Sequence, residues 1–445
     1  MKRVCVFVLA VLVLFSGCGK QETGGDSEAF NIETDWQYQA LCPQVTTSTI
    51  TEDPQGLLYF LNGYFLYKHD LTTGETLPLC SRPNCLHDQE TDPEKIIKCH
   101  AFFDLWSAGY GGHLYYEEGN IYLAYLSANG TRIVNGNVMI GTRLVRIGID
   151  GGSRETVRMI DDEPLYFRIH RGRCYYVTQW FEEDGTSHKE VRGFPLSKPS
   201  EDKLILEIPE DMDAGVLVYF LKPYGNYLYI DTVGASEKRK SQIFRMYRYD
   251  PANEKLEEFV LPGQEADQEI MGLQPFNQKL HGFLADKDSK ILSGLYEMEM
   301  DGGSPREVME LPANQLYTDG KYLYVSNIST LTYDSEKEDK TATVWVYDKD
   351  YQLVDTFSEA LYNNYCYDFA MGVGNFGYRM LRDEEDRCYS RLEIFDKSQI
   401  GTLDGKLPEF QVSVEMTASP ADESFIKFTE NGYDTRIYDG SFFRK

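Results

Sequence analysis

Cysteine and histidine residues are concentrated in one short stretch of this chain. The segment Leu79–Phe102 reads LCSRPNCLHDQETDPEKIIKCHAF and holds three of the nine cysteines and two of the seven histidines. Four of its side chains follow the spacing C-x4-C-x-H-x11-C, namely Cys80, Cys85, His87 and Cys99. Three thiolates and one imidazole are a ligand set that tetrahedral zinc accepts. The spacing therefore predicts a structural zinc site, which would order a long polar loop that has no core of its own.

Two other interpretations of the same thiols stay open. A disulfide, either Cys80–Cys85 or Cys85–Cys99, suits an exported protein. Seven cysteines follow Cys18, and an odd number cannot all pair within one chain, which weakens a pure disulfide framework. The third interpretation is free thiols in an anaerobic setting.

The N-terminal residues predict export and a lipid anchor. Two basic residues precede the apolar run Val4–Phe15, which is shorter than the about 20 residues that span a bilayer. The run ends in F-S-G-C and resembles a bacterial lipobox, where signal peptidase II cleaves and the cysteine carries diacylglycerol. Phe15 stands where leucine is usual. We therefore predict a signal peptide over residues 1–17, lipidation at Cys18, a polar tether over 18–35, and a location outside the cytoplasm.

The charge balance excludes one class of partner. The chain has 44 basic and 71 acidic residues, a net charge of −27. A surface this acidic repels phosphate backbones, so we expect no nucleic-acid binding. Attachment to the membrane should come from the lipid anchor alone, and we expect a monomer.

A repeat of about 50 residues organises the remainder of the chain. The segments LVRIGIDGGSRETVRMI and LYEMEMDGGSPREVMEL both alternate apolar and polar residues, turn at Asp-Gly-Gly and resume as a strand. Corresponding turn aspartates are Asp70, Asp150, Asp250, Asp301, Asp348 and Asp396, and the last four lie 51, 47 and 48 residues apart. A turn followed by alternating tyrosines precedes most of them. Each unit thus contains four antiparallel strands.

Four strands in about 50 residues are typical of a β-propeller blade. We predict an all-β protein, a β-propeller of seven four-stranded blades over residues 36–445. An eighth blade stays open as an alternative. In that case the C-terminal segment FIKFTENGYDTRIYDGSFF would combine with the N-terminal segment Trp36–Thr51. Alternatively, this hairpin would pair with an N-terminal strand and lock the ring.

The cysteine-rich stretch interrupts the repeat. From Asp70 to Gly119 the chain takes 49 residues, whereas Asp301 to Gly320 takes 19. We therefore place an insertion over residues 80–105, between blades one and two. Such connections emerge on the face that carries the loops between second and third strands, which are long and charged here. Long loops on a rigid scaffold commonly carry binding, so we expect an unidentified protein or glycan partner on this long-loop face.

The lipobox and the repeated Asp-Gly-Gly turns resemble those of the TolB-like, DUF5050-type propeller lipoproteins of Firmicutes. The cysteine loop is also similar to one in such lipoproteins, through Leu79, Cys80, Pro83, Cys85, His87, Cys99 and Ala101. The resemblance covers nearly the whole chain. It implies a propeller and a cell-surface location, and no settled activity.

Motifs for catalysis are missing from the sequence. The segment Gly372–Gly377 matches G-x-G-x-x-G, but the residues after it alternate like a strand, so no helix would meet a pyrophosphate. No G-x-S-x-G, H-E-x-x-H or P-loop occurs. We predict a non-enzymatic binding or scaffold module without a cofactor other than zinc. The alternative is a carbohydrate-active hydrolase or lyase working from the propeller channel.

Overall fold

A computed structural model of the chain describes most of the predicted propeller. The described residues are 31, 35, 50–90, 92–105, 112–134, 137–160, 166–181, 187–207, 217–236, 241–259, 268–286, 292–310, 315–327, 340–361, 368–372, 374–382, 389–415, 427–429 and 432–434. The predicted signal peptide and Cys18 lie outside them, as does nearly all of the tether.

The described residues form seven four-stranded antiparallel sheets, each built from four consecutive strands. Blade one comprises β1 (Ile50–Glu52), β2 (Leu57–Asn62), β3 (Phe65–Asp70) and β4 (Glu75–Pro78). Blade two comprises β5 (His113–Glu117), β6 (Asn120–Val134), β7 (Asn137–Gly148) and β8 (Arg154–Ile160). Blade three comprises β9 (Tyr166–His170), β10 (Arg173–Phe181), β11 (Ser187–Pro195) and β12 (Lys203–Glu207). Blade four comprises β13 (Leu217–Tyr224), β14 (Tyr227–Ser236), β15 (Ser241–Asp250) and β16 (Lys255–Phe259).

The remaining sheets follow the same order. Blade five comprises β17 (Gln268–Phe276), β18 (Lys279–Asp286), β19 (Leu292–Met298) and β20 (Arg306–Met309). Blade six comprises β21 (Gln315–Thr318), β22 (Leu323–Ser326), β23 (Lys340–Tyr347) and β24 (Leu353–Leu361). Blade seven comprises β25 (Asp368–Met371), β26 (Phe376–Arg382), β27 (Tyr389–Asp396) and β28 (Val412–Glu415). Short helical turns are α1 (Pro93–Ile96) and the 3-10 turns His87–Gln89 and Lys397–Gln399.

The Asp-Gly-Gly sequences form the tight turns between third and fourth strands. The Asp150 carboxylate accepts a hydrogen bond from the Gly152 amide at 2.8 Å, and Asp301 accepts one from Gly303 at 2.9 Å. Gly151 has φ +70° in the same turn, a conformation that a Cβ atom disfavours. The two strongest copies of the repeat therefore adopt equivalent turns, as the sequence predicts.

Apolar faces of neighbouring blades pack together and form the core. Ile50, Leu58 and Phe60 of blade one share a buried cluster with Leu392 and Ile394 of blade seven. First and last blades are thus in contact, which closes the ring. The C-terminal segments β29 (Lys427–Thr429) and β30 (Gly432–Asp434) pair only with each other among the described residues. The predicted N-terminal partner strand and most of the C-terminal segment lie outside the described residues, so the eighth blade and the ring-locking hairpin stay predictions.

These sheets confirm the predicted all-β β-propeller. No helix among the described residues is long and apolar enough to cross a membrane.

Candidate metal centre

The four residues that the sequence singled out converge in space. One ligand atom from each of Cys80, Cys85, His87 and Cys99 lies within 4.8 Å of every other, and we call this group the Cys3His cluster. The Cys99 Sγ lies 3.8 Å from the His87 Nδ1. Ligands at tetrahedral zinc distances stand about 3.5–3.8 Å apart, so the cluster fits one ion with small adjustments.

The cysteine residues of this cluster are free thiols in the structure, as is Cys174 in β10. Cys174 is buried in blade three, as expected of a packed strand residue. The remaining cysteines after Cys18, which are Cys42, Cys366 and Cys388, lie outside the described residues. Neither of the two disulfides considered from the sequence is present.

Apolar residues fix the insertion between blades one and two. Ile96, Cys99 and Phe102 are buried in the cluster that these two blades share. The backbone amide of Leu66 donates to the Ala101 carbonyl at 2.9 Å, which ties the insertion to β3. Burial of these side chains gives the short segment a share of a larger core, although it has none of its own.

The Asp-Gly-Gly turn of blade two packs directly against the Cys3His cluster. The Ser81 amide donates to the Gly151 carbonyl at 3.1 Å, and the His100 Nδ1 lies 2.9 Å from the same oxygen. A Cβ atom on Gly151 would stand 2.7 Å from the Cys80 amide nitrogen, so this close approach requires glycine. The cluster therefore lies beside a turn between third and fourth strands. The same insertion also contacts the turn between second and third strands of blade one, where the Phe103 amide donates to the Tyr64 carbonyl at 2.9 Å.

Arg154 holds the C-terminal half of the insertion. Its guanidinium donates to the carbonyls of Cys99, at 3.2 Å, and Phe102, and it lies over the Phe103 ring at 4.5 Å. Arg154 begins β8 directly after the Asp-Gly-Gly-Ser turn, so blade two positions it. Nothing in the cysteine spacing predicts this contact, since the arginine lies 55 residues from Cys99.

Two thiols of the cluster have opposite electrostatic surroundings. Burial opposes ionisation of Cys80, but hydrogen bonds from the backbone amides of Arg82 and His100 and from the Cys99 and Cys85 thiols together lower the pKa. The His100 amide lies 3.4 Å from the Cys80 sulfur. Burial raises the pKa of Cys99, and the neighbouring Cys80 and Cys85 raise it further. A divalent cation would favour the ionised form of both cysteines and of Cys85, because it stabilises all three thiolates at once.

His87 adopts a backbone conformation that its residue type seldom takes. Its φ is +54°, in the left-handed region, and Asn84 within the same loop has φ +59°. A left-handed residue other than glycine costs about 1–2 kcal/mol. Next to it, the Tyr67 hydroxyl of β3 donates to Asp88 at 2.8 Å. The loop therefore holds the imidazole beside the thiols at the expense of local strain.

Comparison with known proteins supports the fold and goes no further. No family model matches the chain, and no curated protein matches it. A structure from a study of two prolyl endopeptidases is 12% identical, with a TM-score of 0.51 over 90% of this chain and 54% of that one. Prolyl oligopeptidase B from Galerina marginata is 11% identical, with a TM-score of 0.44 over 87% of this chain and 52% of that one. The β-propeller domain of the Trilobed protease from Pyrococcus furiosus is 14% identical, with a TM-score of 0.40 over 69% of this chain and 99% of that one.

The chain thus spans about half the length of the two prolyl peptidases that it matches. Similarity at this level of identity defines a class of fold, the β-propeller, and transfers no activity.

Proposed function

We propose that this chain is a lipid-anchored, extracytoplasmic β-propeller that serves as a non-enzymatic binding or scaffold module for a protein or glycan. The F-S-G-C lipobox supports the anchor, and the lipobox, cysteine loop and repeated turns support kinship with TolB-like, DUF5050-type lipoproteins of Firmicutes. Seven sheets with blades one and seven in contact support a seven-bladed, monomeric ring.

The binding role rests on one observation, the unequal lengths of the strands within a blade. In blade two, β6 and β7 have 15 and 12 residues, whereas β5 and β8 have 5 and 7. The β6–β7 hairpin therefore projects beyond the rest of its blade on the long-loop face. On the opposite face, first and second strands of this blade are joined by Glu118 and Gly119 alone. A projecting hairpin on a rigid blade is a common means of presenting a binding surface.

The Cys3His cluster supports a structural rather than a catalytic zinc ion. Four protein ligands fill a tetrahedral site, whereas a catalytic site keeps one position open for water. In this proposal zinc orders the insertion and joins blades one and two.

Shortening the hairpin tests the binding role. Replacing residues 128–140 by Asn-Gly gives a turn that suits a two-residue hairpin. We expect wild-type protein to bind a cell-wall glycan or a cell-surface protein without releasing reducing ends or unsaturated sugars. The shortened variant should lose binding while its melting temperature stays within a few degrees. Release of product by the wild type, or undiminished binding by the variant, contradicts the proposal.

Replacing Cys18 by Ala tests the anchor. We expect the variant to stay unprocessed and to lose acyl labelling, whereas Cys5→Ala, in the apolar run, should behave as wild type. Normal maturation and membrane retention of Cys18→Ala contradict a lipoprotein.

A further inference from the structure

The first strands of the blades line the centre of the ring. Each is at one edge of its sheet, and consecutive first strands contact one another, as in the pairs β1–β5, β5–β9, β9–β13 and β17–β21. Only edges that face a common axis can meet in this way around a ring. These strands therefore surround the central channel.

Strand register identifies one level along these strands. In blades two to five the last residue of the first strand pairs across the tight turn with the first residue of the second strand, as in His170↔Arg173 and Tyr224↔Tyr227. Two residues earlier, blades two to five carry polar side chains, and we call these the polar arc: Tyr115, Arg168, Lys222 and Gln274. Four consecutive blades thus carry polar side chains at this level.

Arg168 is held rigidly in the middle of the polar arc. Its Nε donates to the Leu221 carbonyl of blade four at 3.1 Å, and one terminal nitrogen donates to the Tyr115 hydroxyl of blade two at 3.0 Å. The same nitrogen donates to the Phe167 carbonyl at 2.7 Å. In the described part of the chain no carboxylate pairs with this guanidinium. Its second terminal nitrogen is therefore available for an anion, in a protein where acidic residues far outnumber basic ones.

Two further groups lie near Arg168. Burial, together with the smaller effect of the Arg168 charge, lowers the pKa of His113 to about 3. Burial also lowers the pKa of Lys222 to about 7; Asp231 opposes this shift and Arg168 adds to it. Two basic side chains thus share a neighbourhood with one carboxylate, so the arc favours an added negative charge.

His113 adds a hydrogen-bonding nitrogen to which the described residues offer no partner. Its side chain is 8% exposed, and among the described residues its buried Nδ1 has no hydrogen-bond partner. Its ring stacks on Phe167, the residue before Arg168, at 6.3 Å between centroids. A neutral imidazole nitrogen of this kind can bond a hydroxyl group. A buried polar atom without a partner is costly, and a ligand would remove that cost.

We propose that the polar arc binds a hydroxylated carboxylic acid, such as a sugar acid, in the central channel. Arg168 and Lys222 hold the carboxylate, since a guanidinium fork matches its planar geometry. His113 bonds an adjacent hydroxyl. This site is separate from the long-loop face. Its test therefore does not depend on whether a partner binds that face.

Calorimetric titration at constant ionic strength tests this site with two sugars that differ only in a carboxylate. We expect sodium D-glucuronate to bind at least tenfold more tightly than D-glucose. Lys222→Gln should weaken glucuronate binding about tenfold or more, which is the effect of removing a charged hydrogen-bond partner. Lys198→Gln is the matched control, because Lys198 is exposed on the outside of blade three and pairs with Glu201. It should bind as wild type does.

His113→Gln provides a second variant in case Lys222→Gln does not fold, and it should weaken glucuronate binding severalfold. Melting curves show whether each variant is folded. Equal affinity for glucose and glucuronate, or no binding of glucuronate by folded wild type, overturns the proposal. Binding of sulfate without glucuronate, or equal losses in Lys222→Gln and Lys198→Gln, overturns it as well.

Discussion

Glu52 of blade one accepts a hydrogen bond from the Tyr378 hydroxyl of blade seven at 3.0 Å, across 326 residues of sequence. The Asn375 amide of blade seven donates to the same carboxylate at 3.3 Å. Glu52 is 4% exposed and Tyr378 is 1% exposed, so water does not compete for this contact. In the described part of the chain no strand is exchanged between these blades, and buried polar contacts and apolar packing join them.

Burial makes this closure sensitive to pH. Burial raises the pKa of Glu52 to about 7, although Tyr378, Lys397 and Asn375 each oppose the shift. The folded state therefore holds a proton that the unfolded state has lost, and its stability falls as the pH rises from about 4.5 to about 7. We expect Glu52→Gln to be more stable than wild type at pH 8 by about 1–3 kcal/mol. Urea unfolding at a series of pH values measures the difference.

The pH profile of that variant separates titration from packing. Glutamine still accepts from Tyr378 but cannot ionise, so the stability gain should shrink toward pH 4.5. A gain of constant size between pH 4.5 and 8 would contradict the role of Glu52 as a titrating group.

A buried ion pair joins blades six and seven. The Lys397 Nζ lies 2.5 Å from Asp319 and donates to the Gly372 carbonyl at 2.6 Å, and Asp319 is fully buried. Lys397→Met would leave a buried carboxylate without its cation, which costs about 3–5 kcal/mol. Denaturant unfolding should show that loss. The exposed Lys198→Met should change the unfolding free energy by less than about 1 kcal/mol, and similar losses in both variants would refute our account.

Sequence predicted the propeller because each blade is a local unit of four consecutive strands, marked by turns at Asp150 and Asp301. It also predicted which four side chains meet at the Cys3His cluster, since all lie within one insertion. It did not predict Gly151 beneath Cys80, or the partners of Glu52 and Arg168. Those contacts join different blades, and their geometry depends on how twisted sheets pack, which a local pattern does not encode.

Gly151 has a testable role under the cluster. Gly151 and Gly172 have φ +70° and +68°, so alanine carries a similar backbone strain at both. A Cβ atom on Gly151 would also collide with Cys80, whereas one on Gly172 meets nothing within 4 Å. We expect Gly151→Ala to cost more stability than Gly172→Ala by at least about 1 kcal/mol. It should also weaken zinc retention during chelator titration, and equal behaviour of the two variants would contradict the close packing of the turn on the insertion.

The metal content of the Cys3His cluster is the most direct test of its proposed role. Protein purified under reducing conditions should contain about one zinc per chain, because its four ligands fill a tetrahedral site. The double variant Cys85→Ser/Cys99→Ser should lose the metal, and chelation should lower the melting temperature of wild type but not of that variant. Cys174→Ser is the matched control, since Cys174 is a free, buried thiol in another blade and should leave the zinc content unchanged. Metal-free wild type with a mapped disulfide between any two of the cluster's cysteines would contradict the zinc site and show that a disulfide holds the insertion instead.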